Sequence, residues 1–235
     1  MSEPVLEISD VARDYRGLRP LRIERLAVGA GESIAILGLD QVTAEVFVNL
    51  VTGATLPDRG EVKVFGRSTA AIADSVEWLT VVDRFGIVSE RAVLLDGLSV
   101  IQNLAMPFTL EIEPPPEDVR VRAEALAREV GVPEASWTAP MAQLDGSMWI
   151  RVRLGRAMAL DPAILLLEHV SASARPGASA SLGAEMRAVA ARRGLAIVAA
   201  TADEAFARAV ADRVLTLDPA SGRLAERSRG WFRRR

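Results

Sequence analysis

Residues 36–53 read ILGLDQVTAEVFVNLVTG. An apolar run ends at Gly38, six residues of loop character follow, and an apolar pattern of helical period then closes on Gly53. That order is the form of a phosphate-binding loop, in which backbone N–H groups and a helix N-terminus face an anion. The cation such a loop needs is missing: position 44 is alanine and position 45 glutamate. The single lysine of the chain, Lys63, lies in EVKVFG, whose alternation predicts a strand.

Outward from this stretch, short apolar runs alternate with helical patterns. ESIAILG (32–38), AILLLE (163–168), LAIVAA (195–200) and RVLTLD (213–218) read as buried strands. Helical patterns occupy 43–52, about 178–193 and 202–211, so the α/β order predicts a mostly parallel sheet covered on both faces. LEISD (6–10), PLRIERLAV (20–28) and EVKVF (61–65) read as an antiparallel β portion. From about 99 to 160 amphipathic helix replaces strand, and EIEPPPED (111–118) reads as a helix start with prolines and acids in its first turn. Residues 89–145 are therefore expected to be a helical insertion in an α/β core, and 226–235 a basic tail in which arginines flank Trp231 and Phe232.

Composition sets the outer bounds. The chain has 235 residues, 50% of them hydrophobic, with a net charge of −3 and an isoelectric point near 5.4. That charge gives no nucleic-acid footprint, and no nucleic-acid partner is expected. Cysteine is absent, which excludes disulfide and thiol chemistry and fits a reducing compartment. MSEPVLEISD has neither a basic nor an apolar leader region, and no apolar run approaches the ~20 residues of a bilayer span. Any work at a membrane is therefore expected to be done through a partner or at the surface.

Taken in order, these segments resemble the ATP-binding subunit of an ABC transporter over nearly the whole chain. In that family the loop runs GxxGxGK[ST], with the lysine on the β- and γ-phosphates and the hydroxyl on Mg²⁺. Here GLDQVTAE (38–45) keeps Gly38, puts Gln41 and Thr43 at the other glycines, Ala44 at the lysine and Glu45 at the metal-ligating hydroxyl. In FGIVSERAVLLDGLSVIQNLAMP (85–107), Glu90 stands at the Q-loop glutamine. LDGSM (Leu144, Asp145, Gly146, Ser147, Met148) stands at the LSGGQ signature. In ILLLEHVSASAR (164–175), Glu168 stands at the metal-binding aspartate, His169 at the catalytic glutamate and Arg175 at the D-loop aspartate. Ala202 stands at the switch histidine, and Tyr15 at the aromatic that stacks on adenine.

The resemblance thus implies the fold of a P-loop ABC ATPase, with an antiparallel β portion and an inserted helical subdomain, and a chemistry that has decayed. Losing the lysine forfeits about 1.5–3 kcal/mol of charged hydrogen bonding. A carboxylate ~4 Å from a phosphate adds a repulsion of about 4 kcal/mol at an effective dielectric of 20. ATP and Mg²⁺ are expected to bind weakly if at all, and no metal site is expected. Glu45 is expected in the first helical turn, where it takes the place of the phosphate at the helix dipole. Asp145 reads both as a helix cap and as a charge that spoils the site completed on a partner.

The expected function is that of a pseudo-ATPase subunit that docks on an integral membrane permease beside a second ABC subunit, in a homo- or heterodimer. Residues 92–108 resemble members serving lipid, lipoprotein or hydrophobic-compound transport. Leu98, Val100, Ile101 and Leu104 are candidates to line the groove for a permease helix, with a core role expected for two or three of them. Two alternatives stand beside this reading: an active ATPase using Glu168 for Mg²⁺ and His169 as base, and a scaffold unconnected with transport.

Overall fold

In a computed structural model, which describes residues 3–226, two sheets share the chain. The first is antiparallel. β1 (Leu6–Arg13) pairs with β2 (Leu21–Val28), placing Leu6 opposite Val28 and Val11 opposite Ile23. The alternation of LEISDVAR and LRIERLAV sends Leu6, Ile8, Val11, Leu21, Ile23, Leu26 and Val28 to the buried face. β3 (Ser33–Leu37) enters the second sheet and is followed by α1 (Gln41–Val51). β4 (Arg59–Val64) then returns to pair antiparallel with β1, and the two-residue β5 (Arg67–Ser68) closes that sheet in the order β2-β1-β4-β5.

The next elements are α2 (Ser75–Val82), β6 (Phe85–Val88), α3 (Val100–Ala105), α4 (Glu117–Glu129) and α5 (Gly146–Ala157). Then come β7 (Ile164–Glu168), α6 (Ser179–Arg192), β8 (Ala196–Ala200), α7 (Glu204–Val210), β9 (Arg213–Leu217) and β10 (Leu224–Glu226). The second sheet has the order β10-β9-β3-β8-β7-β6, parallel except for its β10 edge. All five residues of β3, β7 and β8 are buried, which is why each reads as an unbroken apolar run rather than an alternating one.

Alternate residues of these strands feed two apolar clusters. Ile34, Ile36, Leu166 and Val198 pack with α1 and the antiparallel sheet. Ala35, Leu165, Leu167 and Ile197 pack with α6, α7 and the helical stretch from α3 to α5. Through Val100, Leu104, Leu126, Trp137 and Ile150 the helical insertion therefore shares its core with one face of the sheet. No helix among the described residues is long and apolar enough to cross a membrane.

β1 runs three residues past its expected end, from Asp10 to Arg13; the other predicted strands and helices form within a residue or two of their expected limits, and three further details depart from expectation. α1 begins at Gln41, not 43, because Asp40 caps it. β6 is a strand of four residues inside the expected Q-loop region, and it runs against α5 so closely that a Cβ on Gly86 would come within 2.5 Å of the Ala157 carbonyl oxygen. α2, which the sequence reading did not expect, has no fully buried residue; its Val81 is partly buried against the core. The basic tail beyond Glu226, with its arginines, Trp231 and Phe232, lies outside the described residues.

Candidate functional site

The parallel strands β3, β6, β7 and β8 all end on the same edge, and the residues that follow them meet there. This is the crevice beyond the carboxyl ends of strands in which open α/β sheets bind ligands. Gly38 opens it. Its φ of 97° is a left-handed conformation, and a Cβ there would lie 2.9 Å from the Leu217 carbonyl oxygen. Glycine is required at this position by backbone packing alone.

Beyond Gly38 the loop is only Leu39 and Asp40. Gln41, Val42 and Thr43, which would wrap a phosphate, are the first turn of α1. Asp40 takes up donors at this helix start. Thr43 donates its backbone N–H (2.8 Å) and its hydroxyl (2.7 Å) to Asp40 Oδ1, and the Ala44 N–H donates to the Asp40 carbonyl (2.8 Å). These bonds, the Thr43 hydroxyl first, hold the Asp40 carboxyl below its usual range. Ala44 is fully buried in the cluster beneath the antiparallel sheet, so a side chain at this position points into the core.

The expectation for Glu45 is corrected. With α1 starting at Gln41, Glu45 lies beyond the first turn, which holds no acidic residue, and Asp40 meets the helix N-terminus instead. Glu45 turns across the crevice. Its Oε1 lies 3.2 Å from a terminal nitrogen of Arg91, the residue after Glu90. The same guanidinium grips Glu168 at the end of β7, with Arg91 Nε donating to Oε1 (3.2 Å) and a terminal nitrogen to Oε2 (2.6 Å). Gln41 Nε2 donates to Glu168 Oε1 from the other side (3.1 Å). The Glu168 side chain is 0% exposed, so this carboxylate is wholly compensated from within the protein. Its hydrogen bonds to Glu168 in turn raise the pKa of Arg91.

In P-loop NTPases the loop hydroxyl and the acidic residue at the strand end hold Mg²⁺. Glu45 and Glu168 are the residues that the motif order expects at those two positions, and a guanidinium lies between them. This donor set does not fit a magnesium-bound phosphate. The Thr43 and Ala44 N–H groups are spent on Asp40, and the buried carboxylate already holds a cation. Among the described residues no group of three or more His, Asp or Glu side chains could hold a metal ion.

The other singled-out residues surround this network. His169 follows Glu168 with φ 47°, its N–H on the Ala200 carbonyl (2.9 Å) and its Nε2 buried without a hydrogen-bond partner. Glu90 accepts from the Ser173 hydroxyl, tying the loop after β6 to the segment after β7. Ala202 is exposed and brings only a methyl group to the end of β8. Tyr15 is half-buried against the core, with its ring over Gly17, and burial first, then the Asp40 charge, raises its pKa.

Asp145 caps α5, accepting from the Ser147 N–H (2.9 Å), the Ser147 hydroxyl (2.5 Å) and the Met148 N–H (3.2 Å), and it pairs with Arg175. The Ser147 hydroxyl is the first cause of its pKa falling to about 2. Leu144 and Met148 pack against the core, and Gly146 starts the helix. Val100, Ile101 and Leu104 are core residues at 0%, 8% and 0% exposure and cannot line an open groove; Leu98 is half-buried.

Sequence reasoning missed Arg91, Gln41 and Asp40. Charge balance could have found the first: two carboxylates placed at a metal site need a cation, and Arg91 stands directly beside Glu90. Asp40 before a helical pattern is an ordinary cap signal.

The chain has the α/β P-loop NTPase fold of ABC ATPase cassettes. Among solved structures it is similar to cbiO1 from Clostridium perfringens, part of the ABC transporter complex cbiONQ, with a TM-score of 0.79, 19% identity, and 95% of this chain and 88% of that one covered. It is likewise similar to the dimeric bacterial ABC transporter cassette MJ0796, with a TM-score of 0.75, 20% identity, and 94% and 98% covered. In sequence it is 30% identical over 230 residues to the methionine import ATP-binding protein MetN of Brucella abortus, covering 98% of this chain and 61% of that protein. It is 31% identical over 225 residues to MetN of Caulobacter vibrioides, covering 94% and 66%. The chain thus spans about three fifths to two thirds of the length of these relatives. No family model matches it.

Proposed function

We propose that this chain is a pseudo-ATPase: the ATP-binding subunit of an ABC transporter in architecture, acting structurally or as a regulator on a membrane permease beside a second ABC subunit. The observation that carries the reading is the Arg91 guanidinium lodged between Glu45 and Glu168. Phosphoryl transfer depends on groups that position and stabilise charge together, and partial sets lose nearly all their rate. Here alanine stands at the lysine, and the metal-side carboxylate is neutralised internally.

The likeness to import proteins along 98% of the chain supports an importer setting more than the lipid, lipoprotein or hydrophobic-compound transport suggested by residues 92–108. Residues 89–145 act as a helical subdomain in this reading, and the chain sits on the inner face of the cytoplasmic membrane. The alternative of an active enzyme rests on His169, whose buried Nε2 is unpartnered, but the Glu168 it needs as metal ligand is held by Arg91.

The test is steady-state ATP turnover by the purified chain. No turnover above a blank is expected. Turnover that disappears in Glu168→Ala or His169→Ala protein overturns the reading in favour of the active enzyme.

A further inference from the structure

The same side chain that fills the crevice also anchors the route into the helical insertion. Arg91 lies three residues past β6, with its N–H on the Ser89 hydroxyl (3.1 Å) and its guanidinium on Glu168 and Glu45. The next two residues are held from α5, where Arg153 Nε donates to the Ala92 carbonyl (3.3 Å) and Arg156 to the Val93 carbonyl (2.7 Å). Two residues further on, the buried Asn103 of α3 brackets Leu95, accepting from its N–H (2.9 Å) and donating to its carbonyl (3.1 Å). An unbroken series of polar contacts therefore runs from the end of β7 through residues 89–95 to α3 and α5.

We propose that Arg91 is a built-in substitute for the metal cation, a latch that holds residues 89–95 and the helices attached to them in one position whether or not nucleotide is present. The proposal rests on the pseudo-ATPase reading and adds to it a positioning role for one residue. A fork-shaped guanidinium suits this role, because two of its N–H groups meet both oxygens of Glu168 while a third nitrogen faces Glu45. Opening the latch would strand a fully buried carboxylate, so the closed arrangement is strongly preferred. A phosphate entering the crevice would meet Asp40, Glu45 and Glu168 with no cation released to it.

The experiment is hydrogen exchange on the whole chain, with and without Mg²⁺ and ATP, combined with a double-mutant series. In the wild type, exchange at residues 89–95 is expected to be slow and unchanged by nucleotide. Arg91→Ala is expected to speed it about tenfold or more and to lower the melting temperature by about 5 °C or more. Arg91→Ala with Glu168→Gln is expected to regain part of that loss, because the stranded charge is gone. If Arg91→Ala yields no soluble protein, Arg91→Lys keeps the charge without the fork, and faster exchange at 89–95 is again the expected result. Nucleotide-dependent exchange in the wild type, unchanged exchange in the Arg91 variant, or no rescue by Glu168→Gln overturns the latch. ATP turnover assayed on the same preparation keeps the two ideas separate. Turnover with an unresponsive loop contradicts the pseudo-ATPase reading alone, and a responsive loop without turnover contradicts the latch alone.

Discussion

Asp40 supplies from within the chain the negative charge that a phosphate brings to a competent loop. Its carboxylate meets the first N–H groups of α1, where orphan donors and the helix dipole favour an anion. Asp40→Ala is therefore expected to cost about 1 kcal/mol, the usual loss for an N-cap, measured by chemical denaturation. Reinstating the missing lysine is expected to fail. Ala44 is 0% exposed, so Ala44→Lys would push an ammonium into an apolar cluster, lowering stability by about 3 kcal/mol or more without creating ATP binding. Recovery of Mg²⁺-dependent nucleotide binding in that variant would contradict the account of α1. Asp145 sets a pH dependence. Its carboxyl falls from 3.8 unfolded to about 2 folded, so its contribution is complete above the unfolded value and is lost as pH drops towards 2. Between pH 5 and 2 the melting temperature of the wild type is expected to fall more steeply than that of Asp145→Asn; parallel slopes would show that the cap carries no linkage.

Among the elements, α3 depends on one buried amide. Asn103, 0% exposed, satisfies the Leu95 N–H and the carbonyls of Leu95 and Ser99 (3.1 and 3.0 Å). Asn103→Leu removes the acceptor of the Leu95 N–H, while the two carbonyls keep the backbone N–H groups of Leu98 and residue 103 (3.1 and 3.0 Å). It is expected to cost about 1 kcal/mol, with residues 95–99 losing protection in hydrogen exchange before the core strands do.

What the sequence could announce at this scale follows burial. β3, β7 and β8 are covered on both faces and so appear as continuous apolar runs, while β1 and β2, covered on one face, alternate. β6 has four residues with a glycine inside and leaves no periodic trace. The crevice was half legible. Motif order located Gly38, Glu45, Glu90 and Glu168, but the partner of two carboxylates 123 positions apart is set by sheet order, which places β6 beside β7. No local pattern carries that pairing.

For the whole molecule, the fold is that of ABC ATPase cassettes, and the crevice at its strand ends holds Glu45 and Glu168 paired with Arg91. The proposed docking role calls on a different surface from the buried Val100, Ile101 and Leu104. Val93 at 68% and Leu95 at 41% exposure lie on the latched loop itself, and Val76 at 73% and Leu79 at 53% lie on α2. Exposed apolar residues in such numbers suit a helix-in-groove or loop contact. Val93→Asp is expected to leave the melting temperature nearly unchanged and to reduce at least severalfold the recovery of a multi-span permease with the tagged chain from detergent-solubilised membranes. Undiminished recovery would remove this loop from the interface.

The central claim is that the crevice is permanently occupied by Arg91 and does not take Mg²⁺-bound ATP. The most direct measurement is titration calorimetry of the purified chain with ATP, with and without Mg²⁺, up to about 1 mM nucleotide, where a site weaker than about −4 kcal/mol stays unsaturated. The account predicts no saturable heat in either condition. Micromolar binding that requires Mg²⁺ and is lost in Glu168→Gln would contradict it.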